Sequence, residues 1–219
     1  MKLEELRNIH HGKTLWVLGS GSSVGYLDPR FFDDKIVVAT NLIGELLKIP
    51  TFYLFSHYHW VIERQLDNEG ILAAVVQEPC STRWSRPGPN GEKEWQVVPE
   101  DDRIVLNYPD PAVPPGNNFD PFTTAHDDAI VFGSSSVHGS IHLAAMMGAR
   151  YIVLVGTDCG TIDDQHRLPG YYSGGDTPWK LYDRDLIAMK RWVKQTYGAD
   201  IYSLNPFVNF NLEGHTFRG

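Results

Sequence analysis

The stretch VFGSSSVHGSIHLAAMMGARYIVLVGTDCG, Val131 to Gly160, decides the fold. It reads as a serine-rich turn, a helix of small residues, a buried strand and a polar end. Ser134, Ser135 and Ser136 stand where a helix N-cap belongs, and Val137, Ile141, Ala144 and Ala145 recur at helical spacing behind them. Gly148 is the expected stop, because glycine enters the left-handed C′ conformation at little cost. Tyr151–Val155, YIVLV, is a continuous apolar run, the mark of a strand covered on both faces. Gly156, Thr157 and Asp158 follow at its carboxyl end, where open α/β sheets bind ligands. Hydroxyls and N–H groups at a helix start favour an anion, most often phosphate. A carboxylate at a strand end suits a ribose hydroxyl or a metal ion. Ordinary capping around an ordinary strand accounts for the same residues without a ligand.

Upstream, the pattern of apolar runs alternating with helical segments repeats. Thr14–Leu18 (TLWVL) is the first strand, and Gly19-Ser20-Gly21-Ser22-Ser23 follows it at once. A strand running into a Gly/Ser turn is the setting in which backbone N–H groups cradle phosphate. The turn is neither a full GxGxxG nor a Walker A loop, since no GK[ST] follows. Lys35–Thr40 is a second buried strand with Asn41 at its end, Phe52–Phe55 a third, and Ile71–Gln77 a fourth. His57 and His59, beside Tyr58 and Trp60, follow the third strand and suit a substrate pocket, a general base, half a metal site or plain packing. His138 and His142 are four apart on the central helix, and without the glutamate of HExxH they read as a polar helix face. Downstream, Tyr182–Tyr197 is amphipathic with Leu186, Met189, Val193 and Tyr197 inward, and Ile201–Leu204 is a last strand. This alternation predicts an α/β fold, a Rossmann-like three-layer sandwich with a mainly parallel sheet.

Two stretches break the alternation. Between Cys80 and Asp128 prolines recur with glycine and asparagine, and Trp95–Val98 with Arg103–Leu106 reads as a hairpin inside that segment. Its aromatics favour an ordered lid or insertion. Thr161 to Trp179 gathers Asp163, Asp164, His166, Arg167, Tyr171 and Tyr172 directly after the ligand-facing strand end. The expected organisation is therefore one domain over 1–219 with 80–128 as an irregular insertion or lid.

The chain has 219 residues, a net charge of -8 and 42% hydrophobic residues, so a core needs no disulfide or metal. Its acidity argues against a nucleic-acid surface, which needs clustered Lys and Arg, but leaves room for one phosphorylated small molecule. Two cysteines far apart form no disulfide framework. No apolar run approaches the roughly 20 residues of a transmembrane helix, and the charged start is no secretory signal. A cytoplasmic setting is the expectation; a homo-oligomer is left open.

LGSGSSV after the first strand, ATN at the end of the second, and the SSS–helix–G–strand–GTD block occur in one order. In this the chain resembles the superfamily that joins bacterial sialyltransferases of glycosyltransferase family 42 to the DUF115 proteins. The latter include motility accessory factors and archaeal 6-hydroxymethylpterin diphosphokinases. The resemblance runs from Thr14 to about Leu204, outside the proline-rich segment. It implies nucleotide and phosphate contacts at Gly19, Ser20, Gly21, Ser22, Ser23, Asn41, Ser135, Ser136, Gly156 and Asp158, with Tyr171 and Tyr172 in the place of phosphate-contacting tyrosines. The family's catalytic histidine precedes the last long helix, and around Trp179 to Leu181 this chain has none. His166, or alternatively His57, is the expected base, a role that suits a group titrating near neutral pH.

The leading expectation is therefore transfer of a nonulosonic, sialic-type sugar from a CMP-type donor to a glycan acceptor, with no cofactor. An alternative is a pyrophosphokinase of the DUF115 kind using ATP and Mg²⁺, with Asp158, Asp163 or Asp164 holding the ion. A third is a nucleotide-sugar binding module without catalysis.

Overall fold

A computed structural model describes residues 1–56, 58–77, 86–87, 93–94, 101–107, 129–131, 135–158, 165, 167–171 and 179–204. Among these, nine strands follow in chain order: β1 (Thr14–Leu18), β2 (Ile36–Thr40), β3 (Phe52–Ser56), β4 (Ile71–Gln77), β5 (Arg86–Pro87), β6 (Lys93–Glu94), β7 (Ile104–Asn107), β8 (Tyr151–Val155) and β9 (Asp200–Ser203). The helices are α1 (Ile43–Leu46), α2 (His59–Gln65), α3 (Ser136–Met146) and α4 (Trp179–Tyr197). Seven strands form one sheet in the order β7-β4-β3-β2-β1-β8-β9, and every pairing in it is parallel. With helices on its faces, this is an α/β Rossmann-like architecture. The chain steps outward from β1 to β7, then returns to place β8 on the other side of β1. The order therefore reverses between β1 and β8.

Because side chains alternate along a strand, each strand feeds two cores. Leu15, Val17, Val38, Tyr53, Phe55, Ile152 and Leu154 face a cluster completed by α3 and α4. Leu18, Val37, Ala39, Phe52, Leu54 and Val155 face a second one, closed by Val24, Phe32, Ile43 and Ile62. A parallel sheet needs both faces covered, which explains the continuous apolar runs.

Two expectations are corrected here. Arg103–Leu106, expected inside the irregular insertion, belongs to the main sheet: Ile104–Asn107 pairs parallel with β4 and, among the described residues, forms one edge, while its expected partner Trp95–Val98 lies outside the described residues. Arg103 fastens that edge by donating to the carbonyl oxygens of Leu66 (2.5 Å) and Asn68 (3.0 Å) while it clasps Asp101. The small ribbon inside the proline-rich segment is β5 with β6, antiparallel. His138 and His142, expected on a polar helix face, are 0% and 1% exposed. The reason is position, since α3 crosses β1, β2, β3 and β8 on one side and is covered by α4 on the other.

Helix α3 reaches the sheet closely because Gly139 has no side chain. A Cβ there would run into the ring of Phe55, well inside contact distance. At the far end, Gly148 has φ +88°, as a C′ glycine should. The carbonyl oxygens of Met146, Met147 and Gly148 accept from the N–H groups of Asn8, His10 and Gly12. The N-terminal segment thus satisfies the end of the central helix.

His142 joins three parts of this layer. Its Nδ1 accepts from the Val131 N–H (2.8 Å), so the ring proton sits on Nε2, which faces the Tyr197 hydroxyl at 2.7 Å. The ring also meets Trp192 edge to face. Burial away from water pushes its pKa down to about 3.

Two outcomes follow. Gly139→Ala should destabilise by about 1–3 kcal/mol through overpacking, and Phe55→Leu in the same chain should recover part of it; paired urea melts read both. For His142, the unfolded ring takes a proton near its ordinary pKa of 6.5 while the folded one stays neutral to about 3. Between those values the unfolded state binds more protons, so stability rises with pH across that window. Urea midpoints should fall on acidification below 6.5, and His142→Gln should flatten that slope.

Candidate functional site at the switch point

In an open parallel sheet, ligands bind beyond the carboxyl ends of the strands where the strand order reverses. Here that point lies between β1 and β8, and the two turns that leave these strands are the Gly/Ser turn and Gly156-Thr157-Asp158. They are locked together. The Gly19 N–H donates to the Val155 carbonyl oxygen (2.8 Å), and the Gly21 N–H to that of Gly156 (2.7 Å). Both oxygens of Asp158 are held by Ser23: Oδ2 accepts from its backbone N–H at 2.8 Å, and Oδ1 from its hydroxyl.

Such proximity requires glycine. A Cβ on Gly21 would stand 2.6 Å from the Asp158 carboxylate, and one on Gly156 would stand 2.5 Å from the Gly19 carbonyl oxygen. Gly156 also has φ +65°, which side chains rarely adopt. The glycines therefore bring two loops together, and whatever enters the crevice meets a fused wall.

Beside this wall, Asn41 follows β2 with φ +54°, a left-handed conformation that asparagine tolerates better than most residues. Three bonds hold it there. Its N–H donates to the Phe55 carbonyl oxygen (3.1 Å), its own carbonyl accepts from Gln65 Nε2 (3.0 Å), and its Oδ1 accepts from the Ser56 hydroxyl (2.9 Å). The first turn of α3 lies at the same end of the sheet. Thr40, the last residue of β2, shares a hydrogen bond with Ser140 (2.8 Å), and the Ser140 hydroxyl also reaches the Ser136 carbonyl oxygen at 3.3 Å. Ser135 is the N-cap, accepting from the Val137 N–H.

A third loop lies against the Gly/Ser turn. The Ser22 hydroxyl donates to the Gln165 carbonyl oxygen (2.6 Å), and the Leu168 N–H donates to that of Ser20 (2.9 Å). Leu168 fits beside Gly25, where a Cβ would come within 2.9 Å of it. Tyr171 closes a turn on the Leu168 carbonyl oxygen, and its ring lies 5.8 Å from the Arg167 guanidinium carbon.

Gly19 to Ser23, Gly156 and Asp158 are thus brought together as the sequence suggests, with Asn41, Ser135, Ser136 and Tyr171 on elements that end around them. The hydroxyls of Ser22 and Ser23, however, tie loops to one another. His57, His166, Tyr172, Asp163 and Asp164 lie outside the described residues. Among the described residues no three His, Cys, Asp or Glu side chains gather as a metal site. No described helix is long and apolar enough to cross a membrane.

Thr157, read in the sequence as part of the strand end but given no contact of its own, becomes a further candidate. It is 8% exposed, and its hydroxyl finds no hydrogen-bond partner among the described residues. The hydroxyl stands 3.1 Å from where a Cβ on Gly19 would be. A buried hydroxyl without a partner is costly, and the signal was its place between the glycine and aspartate of the strand end.

No protein-family model matches the chain, and no curated protein matches it in sequence. Its fold is similar to that of the monofunctional alpha-2,3-sialyltransferase Cst-I from Campylobacter jejuni, with 15% identity, a TM-score of 0.52, and coverage of 90% of this chain and 77% of that one. It is also similar to the MAf glycosyltransferase from Magnetospirillum magneticum AMB-1, with 12% identity and a TM-score of 0.51 over 92% of this chain. The match spans 34% of that protein. The sialyltransferase CstII of Campylobacter jejuni, solved in complex with a substrate analogue, cytidine-5'-monophosphate, aligns at 16% identity and a TM-score of 0.46 over 92% of this chain and 84% of that one. At these identities the likeness is one of fold.

The brace between the loops is open to measurement. Asp158→Ala strands the buried Ser23 N–H and should cost about 1–3 kcal/mol, whereas Ser23→Ala keeps the backbone bond and should cost less. The double variant should cost less than the sum of the two, the mark of direct coupling.

Proposed function

We propose that the chain is a glycosyltransferase that moves a sialic-type sugar from a CMP-sugar donor to a glycan acceptor. The observation that carries this reading lies at the switch point: a fused pair of glycine turns and, against them, the buried Thr157 hydroxyl, which has no hydrogen-bond partner among the described residues. A ligand oxygen, such as one of a phosphate, is the natural partner for that hydroxyl. The fold shared with a sialyltransferase and a MAf glycosyltransferase supports sugar transfer over other uses of the same crevice.

On this reading the donor phosphate lies against Ser20 and Thr157 and toward the start of α3 at Ser135 and Ser136. Asn41 meets the base or ribose, in an orientation set by Ser56 and Gln65. Asp158 keeps the Gly/Ser turn in shape through Ser23. In the transfer, the acceptor oxygen bonds to the anomeric carbon as the bond from that carbon to the phosphate oxygen breaks. CMP leaves with the electron pair, and the hydroxyl proton passes to a base, His166 or His57. The departing phosphate gains negative charge as that bond breaks, and in this scheme hydroxyl and amide donors stabilise it without a metal ion or other cofactor.

Thermal melts with CMP, CDP, UDP, GDP, AMP and ATP, each with and without Mg²⁺, test the reading through the stabilisation a native-state ligand confers. CMP should raise the melting temperature without metal. A shift confined to ATP with Mg²⁺ would sink the proposal. Thr157→Val supplies a sharper check: it removes an unsatisfied hydroxyl, so the unliganded protein should melt no lower than the wild type. Its affinity for CMP should nonetheless fall by about tenfold, the worth of one hydrogen bond at the strong end.

A further inference from the structure

Nucleotide phosphate is an anion, and the walls described above bring it little positive charge. The described residues of these walls (19–25, 41–42, 135–137, 156–158, 165 and 167–171) include one carboxylate, Asp158, and one cation, Arg167. Asp158 is 3% exposed and faces Ser23. In a chain of net charge -8, a phosphate entering here needs a local cation.

The placement of Arg167 follows from its neighbours. Leu168 is pinned to the Ser20 carbonyl oxygen on one side, and Gln165 to the Ser22 hydroxyl on the other. The backbone that carries Arg167 is therefore fastened at two points to the phosphate-facing turn. Its guanidinium lies 5.8 Å from the Tyr171 ring, within the range of a cation–π contact. That contact restricts the side chain, and Leu168 and Tyr171 both pack onto the second core. The residue that carries this cation thus sits on a loop anchored to the Gly/Ser turn before and after it.

Resting on the glycosyltransferase reading, we propose that Arg167 is the charge partner of the donor's phosphate, a binding residue held in place by Ser20, Ser22 and Tyr171. Guanidinium pairs with phosphate through two parallel N–H···O bonds, which a lysine ammonium cannot copy. The same contact serves the departing CMP, whose phosphate gains charge as the sugar leaves. The loop from 165 to 171 then links recognition of the phosphate to the shape of the turn beneath it.

The test compares CMP with cytidine, which differ by the phosphate alone. Binding of each is measured calorimetrically to wild type, Arg167→Gln and Arg167→Lys, with melting temperatures recorded to verify folding. Wild type should prefer CMP strongly. Arg167→Gln should lose on the order of ten- to a hundredfold in CMP affinity, keep its affinity for cytidine, and show a weaker salt dependence for CMP. Arg167→Lys should fall between. A wild type that prefers CMP and an Arg167→Gln variant that retains the full preference would overturn the role of Arg167 while leaving the parent reading intact. A wild type that binds neither molecule overturns both.

Discussion

Gly19 and Gly156 lie so near each other that a side chain on either would meet the other's backbone, and the centre of the molecule depends on that closeness. β1 and β8 pair along their whole length, from Thr14 with Tyr151 to Leu18 with Val155. Past the last pair the two chains stay joined through Gly19 to Val155, Gly21 to Gly156 and Ser23 to Asp158. At a switch point the connections from two adjacent parallel strands leave toward opposite faces of the sheet, which opens a crevice there. Here the crevice has a floor stitched from both turns, and side chains larger than hydrogen would pry it open.

That constraint redistributes work among the polar residues. Serine hydroxyls suited in principle to a phosphate are spent within the protein, Ser23 on Asp158 and Ser22 on Gln165. On the proposed reading, contact with a ligand falls instead to a residue held in a strained pose and to a hydroxyl with no partner among the described residues. Asn41 is the strained case, since its left-handed backbone is fixed from three directions. Strain maintained by surrounding bonds is a recurrent property of binding sites. Thr157 is the other case, a buried hydroxyl whose cost the fold tolerates.

Much of this was legible in the sequence. Continuous apolar runs such as YIVLV and IVVAT signalled strands covered on both faces; IVVAT is buried after its first residue, while Tyr151 and Val153 of YIVLV are half-covered. The Gly/Ser turn and the Gly156–Asp158 turn were each legible as turns at the carboxyl end of a strand. What stayed hidden was which strands become neighbours in space, and whom each polar side chain serves. Ile104–Asn107 read as part of a local hairpin because hydrophobic alternation carries no information about a partner strand 30 residues away, from Ala74 to Ile104. His138 and His142 read as a polar face because two imidazoles four apart look amphipathic until a second helix covers them. The division of Ser22 and Ser23 from Thr157 required atomic positions, since all three are small hydroxyl residues at strand ends.

The strand order also bears on how the chain comes into being. β1 is the third strand from the opposite edge of the sheet, yet its neighbour β8 is made 133 residues after it, counting from Leu18 to the residue before Ile152. At synthesis rates on the order of 5–20 residues per second, one flank of β1 waits on the order of ten seconds for its partner. Throughout that interval the nascent β1–β4 half carries an open flank at what will become the middle of the sheet, the kind of surface that recruits other chains. The Gly/Ser turn is likewise unformed until Asp158 emerges. Such long-range closure makes the last step of assembly the one that creates the crevice, so a ligand can meet a finished site only once the whole sheet exists.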